Sequence, residues 1–290
     1  MTKNKQEQEV YILGSESGTG SRKKEPKRNL VILLLCISLM IFAAIVIFFL
    51  NREEQAPEYY FEPEQTAQQN LSVETVLSTD SIRSTEEIPY TEVAEETANN
   101  VPLLIYTPHN ATMSLTVGMP DKSDAGIVFA AMAADIRKDN MQIVGDFVLS
   151  GKRLARGVAK KGYAAIEGNK ITIGVGESTP LLQQAIDNNG YFFRQYPLVS
   201  NGELVENNLK NKSIRRALAV RNERVIMVES KNRESFHDFS RALIDIGVSN
   251  AIYLVGGDAF GWYHDSEFVR REFGIELPDI PDNISYIIWR

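Results

Sequence analysis

Residues 250–264 read NAIYLVGGDAFGWYH, and the fold turns on how that stretch is understood. Ile252, Tyr253, Leu254 and Val255 have the length and residue types of a buried strand. Gly256-Gly257 then removes two side chains where the strand should end. A glycine pair there either lets backbone approach a ligand or makes a tight turn. Immediately upstream, 232–247 carries Phe236, Phe239, Leu243 and Ile246 at helical spacing with Gly247 as the stop, so a helix is expected to feed the strand.

Working back, two strands are expected at Ile214–Val220 and Arg224–Glu229, around the turn Arg221-Asn222-Glu223. Tyr191–Val199 (YFFRQYPLV) reads as one aromatic strand, ended by the hairpin signal Asn201-Gly202. Ser178-Thr179-Pro180 opens a helix whose apolar face is Leu181, Leu182, Ala185 and Ile186. Gly162–Ile166 and Lys170–Val175 pair as a hairpin. Earlier apolar segments lie at Val101–Thr107, Ala111–Val117, Gly126–Ala133 and Met141–Leu149. Downstream, Asp265 or Ser266 is expected to cap a short helix through Phe273, and Asn283–Trp289 makes a last strand. The expected class is α+β: a multi-stranded mixed sheet packed with two longer helices and one short helix, preceded by a single transmembrane helix.

The first third of the 290 residues has a different character. Leu30 to Leu50 is an uncharged run of 21 residues without proline, enough to span a hydrocarbon core of roughly 30 Å. Seven basic against four acidic residues precede it. That excess predicts residues 1–29 to be a cytoplasmic basic tail, 30–50 the anchor, and everything beyond to lie outside the cytoplasm. Residues 51–98 hold twelve acidic residues against Arg52 and Arg83, which reads as a disordered spacer between anchor and domain. Residues 99–290 balance at 22 basic and 22 acidic, so no basic stripe suggests a nucleic-acid partner. The one cysteine, Cys36, falls in the anchor and offers the outer domain neither disulfide nor thiol nucleophile.

His109, His237 and His264 show no ligand spacing, and no metal site or cofactor is indicated. Polar groups at expected strand ends remain: Asp146, Arg194, Gln195, Arg215, Arg216 and Asp258. Guanidinium forks suit phosphate, and carboxylates suit acid or base work on a glycosidic bond. Taken singly, each also reads as a structural ion pair or a solvated strand end.

In order, GYFFRQYPLVSNGELV, RRALAV, RVIMVES and SFHDFSRALIDIGVSNAIYLVGGDAFG resemble the phosphodiester glycosidase family. Gln195-Tyr196-Pro197-Leu198-Val199 with Asn201-Gly202 matches its element QxGPxLVxxGxI, and Arg216-Ala217 its RTAIG. Leu243, Gly247, Ala251, Leu254, Gly256 and Gly257 match the helix and strand ending LDGGGSS. Gly157 and the following hairpin also sit in family order, so the resemblance covers Val128 to Asp265. It departs at Val255, where the family has aspartate, at Asp258 for the third glycine, and at Ala259 and Phe260 for the serines. Val144-Gly145-Asp146-Phe147 matches NGxFF loosely; an alternative alignment puts Asp135 there.

The resemblance implies hydrolysis of a sugar 1-phosphodiester to free sugar and phosphomonoester. Asp258 and Asp146 would be the acid/base candidates, Arg216 and Arg215 would contact phosphate, Gln195 would position the sugar, and Gly256 and Gly257 would give backbone donors. The implied partner is a sugar phosphate or envelope glycan. Two alternatives stand beside it: a glycan-binding domain without catalysis, and a protein-assembly module whose contact patch is Tyr191, Phe192, Phe193, Phe260, Trp262 and Tyr263.

Overall fold

The structure, a computed structural model, describes residues 88–209 and 211–290, the strand backbones 60–61 and 73–78, and Ile32, Ser38 and Met40. The expected anchor otherwise lies outside the described residues, among which no helix is long and apolar enough to cross a membrane. Residues 56–290 form one compact unit.

Among the described residues of the domain there are three large sheets, one two-stranded pair and two helices. The seven-stranded sheet runs, edge to edge, Glu203–Leu204, Pro197–Ser200, Val248–Leu254, Ser213–Arg221, Arg224–Glu234, Val101–His109 and Tyr90–Ala98. The six-stranded sheet runs Val73–Ser78, Lys170–Val175, Gly162–Glu167, Tyr191–Gln195, Phe147–Leu149 and Lys152–Ala155. The five-stranded sheet runs Arg270–Phe273, Gly261–His264, Phe129–Met132, Ser285–Trp289 and Met113–Val117. Every pairing within these sheets is antiparallel, so the expected single mixed sheet is replaced by three antiparallel ones. A parallel pair joins Tyr60–Phe61 to Ile136–Arg137.

Strand alternation explains the layering. In Ser213–Arg221, Ala217 and Ala219 face the helix side, while Leu218 and Val220 face a central core; Ala251 and Tyr253 against Ile252 and Leu254 repeat the division one strand over. Residues from all three sheets, among them Leu115, Phe129, Phe193, Leu218, Ile252 and Ile287, meet in that core. Helix α1 (Pro180–Asp187) starts where Thr179 accepts the Leu181 N–H at 3.3 Å, and buries Leu181 and Ala185 on the six-stranded sheet. Helix α2 (Phe236–Asp245) is capped by Ser235 and buries Phe236, Phe239, Ala242 and Leu243 on the seven-stranded sheet. Truncating Phe239, which has no exposure, would cost about 3–5 kcal/mol.

Four expectations are corrected. The aromatic stretch 191–199 is two strands in different sheets, broken at Tyr196, whose N–H the Gln195 side-chain carbonyl accepts at 3.0 Å. The short helix after Asp265 is a hairpin arm. Asp265 Oδ1 accepts the N–H groups of Glu267 and Val269, which closes a turn rather than a helix, and Arg270–Phe273 then pairs with Gly261–His264. The acidic segment contributes strands: besides Tyr60–Phe61 and Val73–Ser78, Tyr90–Ala98 pairs along its length with Val101–His109, and Thr91 donates to Val128 O at 2.8 Å. Its outward glutamates look like spacer, but they suit an edge strand. The aromatic contact patch is largely core, with Phe192, Phe193, Phe260 and Trp262 at 2% exposure or less.

Candidate functional site

Alternation sends Arg215 and Arg216 to opposite faces of the seven-stranded sheet. Arg215 lies on the helix side, 4.3 Å from the centre of the Phe236 ring, and donates to the carbonyls of Glu234 and Asn211. Arg216 lies on the other face, over Phe273 at 4.8 Å. Its Nε donates to Glu229, and its Nη1 to Ala259 O at 2.7 Å and Val255 O at 3.3 Å. Arg216 thus bolts the glycine loop to the sheet. Burial, and then the charge of Glu229, push the hydroxyl of neighbouring Tyr106 far above the usual phenol range.

The loop's own donors are used internally. The Gly256 N–H donates to Tyr253 Oη at 3.0 Å and the Gly257 N–H to Ile214 O at 2.8 Å. Gly257 holds φ at +55°, which a side chain would disfavour. Asp258, exposed at the loop's tip, anchors the neighbouring hairpin through its backbone, taking the Ile275 N–H at 2.9 Å.

Asp146 lies in a second cluster. One carboxylate oxygen accepts from Arg153 Nη2 and from the Gly157 N–H at 3.1 Å; the other accepts from Arg194 Nε at 3.0 Å. Burial opposes the charge, but those donors outweigh it and hold the carboxyl below the usual aspartate range. Arg194 is spanned by protein acceptors, giving its remaining donors to Gly176 O at 2.7 Å and Glu177 O at 2.8 Å. Gln195 belongs to a third, fully enclosed group. Its amide donates to Asp135 Oδ1 at 2.8 Å, and its carbonyl accepts from Lys160 Nζ at 2.9 Å. Lys160 also pairs with the second oxygen of Asp135 and sits 4.3 Å from the centre of the Tyr196 ring. Burial pushes the Lys160 ammonium down, against the opposing charge of Asp135.

These positions therefore do not converge on one site: Arg215 stands alone on the helix side, and the others gather around the glycine loop, around Asp146 and around Asp135. A cleft of about 790 Å³ opens to solvent beside the Asp146 group. Arg137, Arg153 and Arg156 line it, with the amides of Asn140, Gln142 and Asn283, the apolar Ile143 and Leu154, and Gly145 and Gly157. No carboxylate contributes to the lining among the described residues. Gly145 is needed for the approach of its wall, since a Cβ there would stand 3.1 Å from Arg194 Cβ at a φ of +84°. A hollow under α1 holds only about 10 Å³, too little for a ligand.

Arg153, Arg156 and Lys160 were not among the expected site residues. Their signal is KRLARGVAKK, 152–161, five basic residues in ten with no acid, in a domain that is otherwise balanced.

Fold and cleft together define a sheet-rich α+β domain with an open polar groove. Among solved structures it is similar to the zebrafish N-acetylglucosamine-1-phosphodiester alpha-N-acetylglucosaminidase catalytic domain auto-inhibited by its pro-peptide, with TM-score 0.52 and 15% identity over 75% of this chain and 87% of that one. A hypothetical protein from Synechocystis matches with TM-score 0.44 and 13% identity over 69% of this chain and 61% of that one. No protein-family model and no curated protein matches the sequence.

Proposed function

We propose that this chain is a membrane-tethered, extracytoplasmic saccharide-binding domain that holds an envelope glycan in the arginine-lined cleft without cleaving it. The observation that carries the reading is the lining: three guanidiniums and three amides around about 790 Å³, with no carboxylate among the described residues. Glycoside hydrolysis uses two carboxylates flanking the scissile bond, roughly 5–10 Å apart, one with a raised pKa. Asp146 has the reverse character, since its donors keep it ionised, and Asp258 lies on a loop outside the lining. Amides and guanidiniums are suited to hydroxyls and anionic substituents of a sugar chain. The tether rests on the 21-residue apolar run and the basic excess before it.

Hydrolysis of a sugar 1-phosphodiester is the second reading, favoured by the likeness in fold to an enzyme of that activity. The two separate in one experiment. The full-length chain is titrated by calorimetry with wall polysaccharide and with a fluorogenic N-acetylglucosamine-1-phosphodiester, and release of the fluorophore is followed in parallel. Saturable binding with release no faster than in buffer is expected. Release well above buffer that Asp146→Asn or Asp258→Asn abolishes establishes hydrolysis, and absence of binding to every saccharide sinks the binding reading.

A further inference from the structure

Among the described residues Lys160 is the one lysine buried in the domain: its side chain is 1% exposed, that of its partner Asp135 5%, and Gln195 beside them 0%. Lysine is almost never so enclosed without a partner, and here the partner is a carboxylate. The backbone fixes all three. Asp135 follows Phe129–Met132 of the five-stranded sheet, and its carbonyl takes the Val144 N–H at 2.8 Å. Lys160 leads into Gly162–Glu167 and Gln195 ends Tyr191–Gln195, adjacent strands of the six-stranded sheet in which Gly162 pairs with Gln195. Lys160 Nζ lies against Asp135 Oδ2 and donates to Gln195 Oε1 at 2.9 Å, while Gln195 Nε2 donates to Asp135 Oδ1 at 2.8 Å. Amine, carboxyl and a donor to the carboxyl's other oxygen thus close one ring, and none of the three residues lines the open cleft. Holding two reactants together in this way supplies the proximity and orientation that a bimolecular condensation lacks.

We propose that the Lys160 amine and the Asp135 carboxyl condense within the folded domain to an amide cross-link between their side chains, with Gln195 polarising the carboxyl. A proton first passes from Nζ to Oδ2, which removes two charges from the interior at once. Burial pushes the Lys160 ammonium down and so favours the neutral amine. The Nζ lone pair attacks Cγ and forms the N–C bond, and the negative charge that develops on Oδ1 meets the Gln195 amide. A second proton passes from Nζ to Oδ2, the Cγ–Oδ2 bond breaks, and Oδ2 leaves as water. One water is lost, and nothing is oxidised or reduced. The same enclosure then keeps bulk water from hydrolysing the product.

The bond would tie the chain leaving the five-stranded sheet to the chain entering the six-stranded one, between positions 25 apart. The loop it closes, 135–160, carries every lining residue of the cleft except Val117 and Asn283. A cross-link restricts the unfolded chain and so holds such a loop in its folded course. The only cysteine, Cys36, lies outside the domain, so no disulfide within the domain can do this. The proposal is independent of what the cleft binds.

The test is the intact mass of the full-length chain, folded and then denatured, together with mass spectrometry of its protease digest. The chain is expected to be lighter by one water than its sequence requires, and the digest to hold a branched peptide joining the segments around Asp135 and Lys160. Lys160→Arg, which keeps the charge but offers no condensing amine, is expected to show the full mass of its sequence. Gln195→Leu is expected to leave part of the chains unbonded, a change in mass that a packing role alone would not produce. Full sequence mass in the parent chain overturns the proposal whether or not the variants fold. Loss of water that persists in Lys160→Arg, or a branched peptide at another pair of residues, overturns the assignment to Lys160 and Asp135. Complete bonding in Gln195→Leu overturns the role given to Gln195.

Discussion

Replacing Arg216 by methionine separates a structural bolt from a ligand contact. The change keeps most of the side-chain volume but leaves Glu229, whose side chain is 9% exposed, with only the Tyr106 hydroxyl at 3.5 Å. Removing one partner of a buried ion pair costs about 3–5 kcal/mol, because the remaining charge is stranded. The carbonyls of Ala259 and Val255 also lose their donor, the first from a 2.7 Å bond, which adds about 1 kcal/mol. A loss of about 4 kcal/mol or more is therefore expected. Replacing both charges, as Arg216→Met with Glu229→Leu, removes the stranded carboxylate and should recover about half of that loss or more. Urea unfolding of the full-length chain followed by tryptophan fluorescence reads this directly. The two tryptophans, Trp262 and Trp289, are both buried in the five-stranded sheet. If Arg216→Met instead stays within about 1 kcal/mol of the parent while saccharide binding disappears, Arg216 faces ligand and the bolt is wrong.

Three further outcomes follow from the same contacts. Asp146 has its carboxyl held low in the folded state, so its stabilisation is complete above the unfolded aspartate value of about 4 and is lost as pH falls through the lower folded value. Asp146→Asn should lower stability near neutrality by about 3 kcal/mol and flatten the acid limb of the urea midpoint against pH. Gly261→Ala places a Cβ 2.4 Å from the Phe273 ring and 2.5 Å from Ala130 O, and should cost about 1–3 kcal/mol in the same unfolding assay. Asp258→Asn, at an exposed position, should change stability by less than about 0.5 kcal/mol and leave saccharide titrations unaltered.

The parts of the fold that could be read from the chain are those where local pattern and tertiary packing agree. Helix α2, the hairpin at 162–175 and the strand before Gly256 each combine an apolar period with a cap or turn signal, and each sits where that combination places it. Tyr90–Ala98 was hidden because an edge strand with outward glutamates has the composition of a solvated tail. The break at Tyr196 was hidden because an apolar run carries no mark of which sheet each half joins. The site was less legible still. Asp146, Arg194, Gln195, Arg215 and Arg216 do gather at strand ends, but their charges and amides are satisfied by partners distant in sequence. Arg194 meets Asp146 across 48 residues and Gln195 meets Asp135 across 60. A strand-end arginine bound to ligand and one bound to its own fold look alike in one dimension. Arg153 and Arg156 stand out only once the fold places them on the cleft.

A crystal structure of the chain soaked with a wall-glycan oligosaccharide tests the central claim most directly. An intact saccharide in the cleft, its hydroxyls within hydrogen-bond distance of the Asn140, Gln142 and Asn283 side chains, is the predicted result. A sugar seated instead against the Gly256-Gly257-Asp258 loop, with that loop's N–H groups turned from Tyr253 and Ile214 toward the ligand, would contradict it.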